Sequence, residues 1–100
     1  MIKVSVIGSG NVGFHLIKLF HNSKGIELCE WYSRTLNFDK RVRVVNELSD
    51  LNQADVYIIC VSDESISKVS NELTFNEKLV LHTSGSTPFD AINKKNRRGV

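Results

Sequence analysis

IKVSVIGSGNVG, residues 2–13, runs from a short β-branched segment straight into three glycines spaced G-x-G-x-x-G. The segment predicts a strand, and the apolar residues after the glycines recur at helical spacing. Gly8 permits the tight turn off the strand, Gly10 lets the backbone approach a pyrophosphate closely, and Gly13 lets the helix pack on the sheet. Backbone N–H groups and the positive end of the helix then face phosphate. The segment therefore predicts a dinucleotide-binding turn.

Length and composition indicate one ordinary globular domain. The chain has 100 residues, of which 41% are hydrophobic and 24% are charged, enough for a single core. A net charge of +2 is too small to imply a nucleic-acid or membrane partner. No apolar stretch approaches the roughly 20 residues of a membrane span, and no signal peptide is visible. Cys29 and Cys60 are interpreted as buried free thiols, because they fall far apart in predicted strands. We expect a cytoplasmic protein without a metal site.

Strands alternate with helices along the chain, which predicts a parallel sheet covered on both faces. Strands are predicted at 2–7, 26–32, 43–45, 55–61 and 79–82, with the fourth buried on both faces. The helical segments are a first helix after the glycines, a brief piece near 48–53, a helix near 64–73 capped by Ser62 or Asp63, and a helix start at 87–90. The buried face of the first helix is predicted to comprise Val12, Leu16, Ile17, Leu19 and Phe20, with Gly25 as its C-cap.

The predicted element order favours one architecture. We expect a three-layer, doubly wound parallel sheet of the Rossmann type, with strand order 3-2-1-4-5 and a sixth strand begun at residues 97–100. No substrate-binding region follows that strand. Residues 1–100 are therefore interpreted as the N-terminal NAD(P)-binding domain of a longer two-domain protein.

The residues after the second strand bear on which dinucleotide binds. An NAD site places an Asp or Glu roughly 20 residues beyond the glycines, where it accepts hydrogen bonds from the ribose hydroxyls. Here Glu30 lies inside the strand, and Ser33-Arg34-Thr35 stands where that acid is expected. Arginine pairs two phosphate oxygens and keeps its charge, so the tripeptide favours NADP over NAD. Lys40, Arg41 and Arg43 either add positive potential there or are solvated loop charges.

Several segments resemble a known family. GSGNVG at 8–13, YSRT at 32–35 and VSDESI at 61–66 resemble the cofactor domain of pyrroline-5-carboxylate reductase-like oxidoreductases. That broad group includes coenzyme-dependent NADP reductases, ketopantoate reductases and 3-hydroxyacid dehydrogenases. LHTSGS at 81–86 and the terminal RRGV narrow the resemblance to bacterial proteins with a Rossmann-like domain and a helical C-terminal domain of unknown function. The resemblance covers essentially the whole chain, but none of these segments is diagnostic of a reaction.

The resemblance implies a role for each matched position. The pyrophosphate turn would comprise Gly8, Ser9, Gly10, Asn11, Val12 and Gly13. The adenosine 2′-phosphate would be held by Ser33, Arg34 and Thr35. Val61, Ser62 and Asp63 would line the cofactor near its ribose, and His82, Thr83 and Ser84 would approach the nicotinamide. In the better-known relatives much of the substrate pocket comes from the C-terminal domain, often across a dimer. A homodimer through that absent domain is therefore expected.

Candidates for chemistry are few. His82 can change protonation near neutral pH, but its alternative role is to fix the loop through a backbone hydrogen bond. Ser84 would bond a carboxamide or a substrate, or the run at 84–87 simply turns the chain. Asp63 is interpreted as a helix cap rather than a proton donor. The catalytic residues are otherwise unknown.

The remaining histidines and cations are interpreted as structural or solvated. His15 and His21 fall on the outer side of the first helix. The basic run at 94–98 lacks interleaved aromatic residues, so cations at a helix C-terminus explain it better than a nucleic-acid site.

The sequence thus predicts an NADP(H)-binding domain of an oxidoreductase that transfers hydride to or from a small carbonyl, imine or hydroxyl substrate. One alternative is a non-catalytic NADP-binding or redox-sensing module. Another is an S-adenosylmethionine-dependent methyltransferase. That class usually has an acidic residue at the end of the second strand, where this chain has Ser33-Arg34.

Overall fold

A single parallel sheet organises the chain. The computed structural model describes residues 1–74, 77–84 and 91–99. The strands are β1 (Ile2–Ile7), β2 (Ile26–Tyr32), β3 (Arg43–Val45), β4 (Val56–Ile59), β5 (Leu79–His82) and β6 (Arg97–Gly99). The helices are α1 (Asn11–His21) and α2 (Ile66–Glu72), with 3₁₀ turns at Leu48–Asp50 and Asp63–Ser65. All strand pairs are parallel, in the order β3-β2-β1-β4-β5-β6. The predicted doubly wound order is confirmed, and the sixth strand joins it.

Two hydrophobic cores lie on opposite faces of this sheet. Val6 packs on one face with Ile17 of α1 and with Trp31. Its neighbour Ile7 packs on the other face with Ile66 of α2. Successive strand residues point to opposite faces, so β1 contributes to both cores, which is why its sequence is nearly continuously apolar. The result is the expected three-layer arrangement.

The buried face of α1 differs from the prediction. Its fully buried residues are Gly13 and Ile17, with Leu16 and Phe20 half-buried. Val12 and Leu19, which were expected in the core, are about half exposed at 48% and 50%. The stripe therefore starts at Gly13 and follows the i, i+3, i+4, i+7 spacing from there. Hydrophobicity alone misplaced it, because the helix packs against the turn after β1 at Gly13, and a hydrophobic pattern gives no weight to a glycine.

The end of α1 also differs. Asn22 rather than Gly25 is the C-cap, and the side chains of Asn22 and Ser23 donate to the carbonyls of Lys18 and Leu19 at 3.0 and 2.7 Å. These bonds satisfy acceptors that the helix end leaves open. Gly25 instead adopts a φ of +84° in the turn into β2, where its carbonyl accepts from the Ile2 amide at 2.9 Å.

Two predicted elements are shorter than expected. β4 ends at Ile59, and its alternate residues Val56 and Ile58 are only half-buried, so the prediction of burial on both faces is wrong for them. The helical piece near 48–53 is a single 3₁₀ turn. Its continuation is blocked because the Tyr57 hydroxyl donates to the Asn52 carbonyl and accepts from the Ala54 amide, both at 2.8 Å. These bonds fix the approach to β4.

The helix after β4 is entered through a 3₁₀ turn. Ser62 stands at the N-cap of that turn, but its hydroxyl donates to the Ser65 hydroxyl at 3.0 Å and makes no capping bond to the backbone. Asp63 begins the turn rather than capping it. The predicted side-chain cap at Ser62 or Asp63 is therefore wrong.

The segment before β6 is tied to α2. The Ser70 hydroxyl accepts from the Asn93 amide at 2.8 Å, and the Lys95 ammonium donates to the carbonyl of Leu73, the C-cap of α2. Lys95 thus lies at the C-terminus of α2, whereas the basic run was expected at the end of the helix predicted to start at 87–90. The predicted helix start at 87–90 lies outside the described residues.

Three expectations concern the described residues as a whole. Cys29 and Cys60 are free thiols; Cys60 is buried, as predicted, whereas Cys29 is only partly buried. No described helix is long and apolar enough to cross a bilayer. Within the same residues, no three His, Cys, Asp or Glu side chains are grouped to hold a metal ion.

Candidate functional site

A cleft of about 350 Å³ opens at the carboxyl ends of the central strands. It lies where the strand order reverses between β1 and β4, the position at which open α/β sheets bind ligands. The lining comes from the segments after β1, β2 and β4 and from one wall of α2. The lining residues are Gly8, Ser9, Gly10, Tyr32, Arg34, Thr35, Cys60, Val61, Ser62, Ser65, Lys68, Val69 and Glu72.

Two glycines of the turn are required by close packing. Gly8 has a φ of +117°, and a Cβ there would lie 2.6 Å from the Cys60 carbonyl oxygen. A Cβ on Gly13 would lie 2.2 Å from the Gly8 carbonyl oxygen. Both distances are shorter than van der Waals contact, and both neighbours are backbone. Gly8 therefore allows β1 to turn beside β4, and Gly13 allows α1 to start against that turn.

Gly10 is different, because open space surrounds it. Apart from its chain neighbours and the backbone of α1, no heavy atom of the described residues lies within 4 Å of the position that a Gly10 Cβ would take. Gly10 is also the N-cap of α1, and it provides no side chain to bond the first amides of the helix. An α-helix leaves its first four N–H groups without partners inside the helix, and those groups attract anions. The absent side chain at Gly10 thus leaves room for a ligand above a helix N-terminus.

The end of β2 holds the glycine turn through three hydrogen bonds. The Gly8 amide donates to the Tyr32 carbonyl at 2.8 Å, and the indole Nε1 of Trp31 donates to the Gly8 carbonyl at 2.7 Å. The Ser33 hydroxyl donates to the Ser9 hydroxyl at 2.8 Å. Trp31 is fully buried, and Phe14 of α1 packs edge-on against its ring at 4.8 Å between centroids. The sequence did not indicate this function of Trp31.

Ser33 occupies a different place from Arg34 and Thr35. Its side chain is fully buried, and its oxygen also accepts from the amides of Thr35 and Leu36 at 3.2 and 2.9 Å. Asn46 fixes the same loop, because its side-chain amide donates to the carbonyls of Ser33 and Leu36. Arg34 and Thr35 are exposed and line the cleft. Ser33 therefore shapes the loop, and the two residues after it face the ligand space.

The nearby cations are not equivalent to Arg34. Arg41 bonds both carboxylate oxygens of Asp39 at 3.0 and 2.7 Å, and this contact lowers the pKa of Asp39. Arg43 pairs with Glu30, a carboxylate that is only 2% exposed and also accepts from the Asn52 amide at 2.6 Å. These two arginines serve the fold of the loop and strand edge. Their guanidinium groups are thus paired within the fold, and the suggestion that they and Lys40 add positive potential to the site stays a prediction.

The β4 side of the cleft is formed by Cys60, Val61 and Ser62. The Cys60 amide donates to the Ile7 carbonyl at 2.7 Å, which continues the contact with β1 beyond the strand end. Burial raises the pKa of the Cys60 thiol to about 11, with a partial opposing effect from a hydrogen bond to Thr83. Cys60 is therefore a neutral thiol at physiological pH and not an activated nucleophile.

The wall contributed by α2 was not predicted. Ser65, Lys68, Val69 and Glu72 line the cleft at spacings of three and four residues. Ile66, Ser70 and Leu73 are buried on an adjacent side, which fixes the orientation of the helix. The signal available in the sequence was this same i, i+3, i+4, i+7 spacing, directly after a strand whose carboxyl end was already expected at the site.

The other predicted site residues lie around this cleft rather than in its lining. Asn11, Val12 and Gly13 form the first turn of α1, and Asp63 begins the 3₁₀ turn. His82 pairs with Ile59 across β4 and β5, is 1% exposed, and accepts the Ser84 amide on Nδ1 at 3.1 Å. That bond is the loop-fixing role given above as the alternative to catalysis.

Comparison with known proteins does not indicate which ligand the site binds. No protein-family model matches the chain, and no significant match was found among curated proteins. The assignment of a ligand therefore depends on the geometry and charges of the cleft.

Proposed function

We propose that the cleft binds NADP(H), with the pyrophosphate over the glycine turn and the 2′-phosphate at Arg34. The observation that carries the proposal is the open space at Gly10, in the cleft that Arg34 also lines. A side chain at Gly10 would project into that space, and its absence lets a ligand phosphate approach the backbone amides there. The residues of the turn thus suit a dinucleotide, whose diphosphate is the group that helix N-termini and bare amides attract.

The electrostatics of the β2 loop favour NADP over NAD. Within the described part of the chain, the ion pairs of this loop engage Arg41 and Arg43, and Arg34 has none. A guanidinium that is free to form two parallel hydrogen bonds is suited to a phosphate monoester. Glu30, the acid nearest the end of β2 in the sequence, is buried and paired, so it is not available to ribose hydroxyls.

The proposed activity is that of an oxidoreductase acting on a small carbonyl, imine or hydroxyl substrate. When bound, the nicotinamide supplies the hydride chemistry itself. The chain's own residues bind and orient the cofactor: the amides of the turn hold the diphosphate, and Val61 and Ser62 border the ribose. Cys60 stays protonated beside them.

A second candidate, a non-catalytic NADP-binding or redox-sensing module, is favoured by one observation. His82 is buried, and its Nδ1 already holds the Ser84 amide. The residue considered as a candidate acid–base group therefore makes a structural hydrogen bond. Both candidates bind the same cofactor, but only the oxidoreductase would turn over a substrate with it.

Cofactor titration tests the proposal. Arg34→Ala should weaken NADPH binding roughly 10- to 100-fold, because charge-assisted hydrogen bonds contribute about 1.5–3 kcal/mol, and it should leave NADH within about threefold. Arg41→Ala is the matched control, since it removes the same charge from the same loop where Asp39 already neutralises it. Equal losses for both cofactors would remove the NADP assignment.

Binding of S-adenosylmethionine instead would identify the methyltransferase alternative. A screen of NADPH oxidation with small oxo acids and imines distinguishes the oxidoreductase, which should show turnover, from the non-catalytic module, which should not.

A further inference from the structure

We infer that Lys68 of α2 is a second cation for the 2′-phosphate, facing Arg34 across the cleft and sharing the discrimination between NADP and NAD. This inference rests on the proposed function, and it concerns a helix that no motif assigns to phosphate binding. Lys68 and Arg34 both line the cleft of about 350 Å³. That volume is at the low end for ligand sites, so a bound group lies within reach of both walls.

The orientation of Lys68 is set by the packing of α2. Ile66 and Ser70 are buried at 1% and 0% exposure, and the Ser70 hydroxyl accepts from the Asn93 amide at 2.8 Å. Rotating the helix to turn Lys68 out of the cleft would expose this buried side. The packing of α2 therefore fixes the side of the helix on which Lys68 lies, and that side faces the cleft.

The charge of Lys68 is available to a ligand. The ion pairs formed inside residues 1–74, 77–84 and 91–99 engage Arg41 and Arg43, and neither involves Lys68. Glu72 lies one helical turn later on the same wall, and it opposes an anion in the cleft. The wall therefore combines one cation that attracts a phosphate with one carboxylate that weakens the attraction.

Removing the charge of Lys68 and removing that of Glu72 should change phosphate binding in opposite directions, and this difference gives the test. The probes are adenosine 2′,5′-bisphosphate, which carries the 2′-phosphate, and 5′-AMP, which lacks it, titrated at low salt because exposed charges are screened. Lys68→Gln should weaken the bisphosphate about fivefold, as expected for an exposed ion pair, and change 5′-AMP less than twofold. Glu72→Gln should tighten the bisphosphate about twofold. Lys68→Arg should retain most of the affinity.

Lys24→Gln provides the charge control, because Lys24 is exposed in the turn between α1 and β2. That turn lies at the amino end of β2, whereas the cleft lies at the carboxyl ends of the strands. It should leave both probes within twofold. If Lys68→Gln changes neither probe, or both equally, the inference is overturned. A bisphosphate preference that depends on Arg34 alone overturns only the inference. A wild-type chain that binds both probes equally overturns the proposed NADP specificity itself.

Discussion

Replacing each of two glycines in the same turn by alanine should change different properties of the protein. Gly13→Ala should lower its stability, and Gly10→Ala should weaken its binding of NADPH. A Cβ on Gly13 would lie 2.2 Å from the Gly8 carbonyl oxygen, whereas a Cβ on Gly10 would meet none of the described residues within 4 Å beyond its own chain neighbours and the α1 backbone. The same methyl group is therefore added once to a filled position and once to open space. The two variants lie three residues apart, Gly10 at the N-cap of α1 and Gly13 in its first turn.

The cost of Gly13→Ala follows from that clash. The contact is about 1 Å shorter than ordinary packing allows, and overpacking of this kind costs roughly 1–3 kcal/mol. The Gly8 carbonyl cannot move freely, because it accepts the Trp31 indole N–H at 2.7 Å. Loss of that bond adds about 1 kcal/mol, and alanine's better helix propensity returns up to about 1 kcal/mol. We expect a net destabilisation of about 2 kcal/mol, or a fall in Tm of roughly 8–16 °C.

Gly10→Ala should behave in the opposite way. Gly10 has a φ of −73°, which alanine adopts readily. Alanine is a poorer N-cap than glycine, but it also lowers the entropy of the unfolded chain, so stability should change by less than about 0.5 kcal/mol. The added methyl fills the space assigned to the diphosphate. NADPH binding should therefore weaken at least about tenfold, or by about 1.4 kcal/mol.

Thermal unfolding followed by circular dichroism measures the first effect, and titration with NADPH measures the second. Trp31 is the single tryptophan of the chain and is bonded to the turn, so its fluorescence reports on the site directly. Binding is compared below the unfolding range of both variants. A Gly10→Ala protein that binds NADPH like the wild type would refute the placement of the diphosphate. A Gly13→Ala protein with unchanged Tm would refute the packing argument.

Two further predictions concern buried groups next to the cleft. Trp31→Phe leaves the Gly8 carbonyl without its indole donor and leaves a smaller ring, so urea unfolding should show a loss of about 3 kcal/mol. A loss below about 1 kcal/mol would show that the bond does not stabilise the turn. The second concerns pH, because the folded protein holds the Cys60 proton up to a pKa of about 11 whereas the unfolded chain releases it near 9. The free energy of unfolding should therefore be unaffected by this group below about pH 8.5 and fall above it by about 1.4 kcal/mol per pH unit until about pH 11. Cys60→Ala should lack this component, and identical pH profiles for the two proteins would contradict it.

Most of the sheet could be predicted because its determinants are local. β-branched runs, glycine turns and alternating helices give the element order, and the rules of parallel sheets then give the topology. The same rules place the ends of β1, β2 and β4 together, which is why Ser9, Arg34 and Val61 were expected at one site. All three line the cleft.

Several of the errors have a shared physical cause, since each element is set by a particular backbone or side-chain contact that a hydrophobic pattern does not represent. The face of α1 is set by Gly13 against Gly8, and a hydrophobic pattern gives no weight to a glycine. The short turn after Leu48 is set by the hydroxyl of Tyr57. Lys68 belongs to no motif, and it reaches the cleft only because the sheet places α2 beside the β2 loop.

Ser33 shows how the two parts of the proposed site depend on each other. Its oxygen contacts the Ser9 hydroxyl in the glycine turn and the amides of Thr35 and Leu36 in the loop that carries Arg34. One buried hydroxyl thus fixes the distance between the expected diphosphate and 2′-phosphate positions. The separation of those two phosphates is a property of the cofactor, so a site built for it needs a rigid spacer between its two anion-binding segments. The sequence suggested Ser33 as a ligand of the phosphate, but its buried position makes it the residue that sets where Arg34 stands.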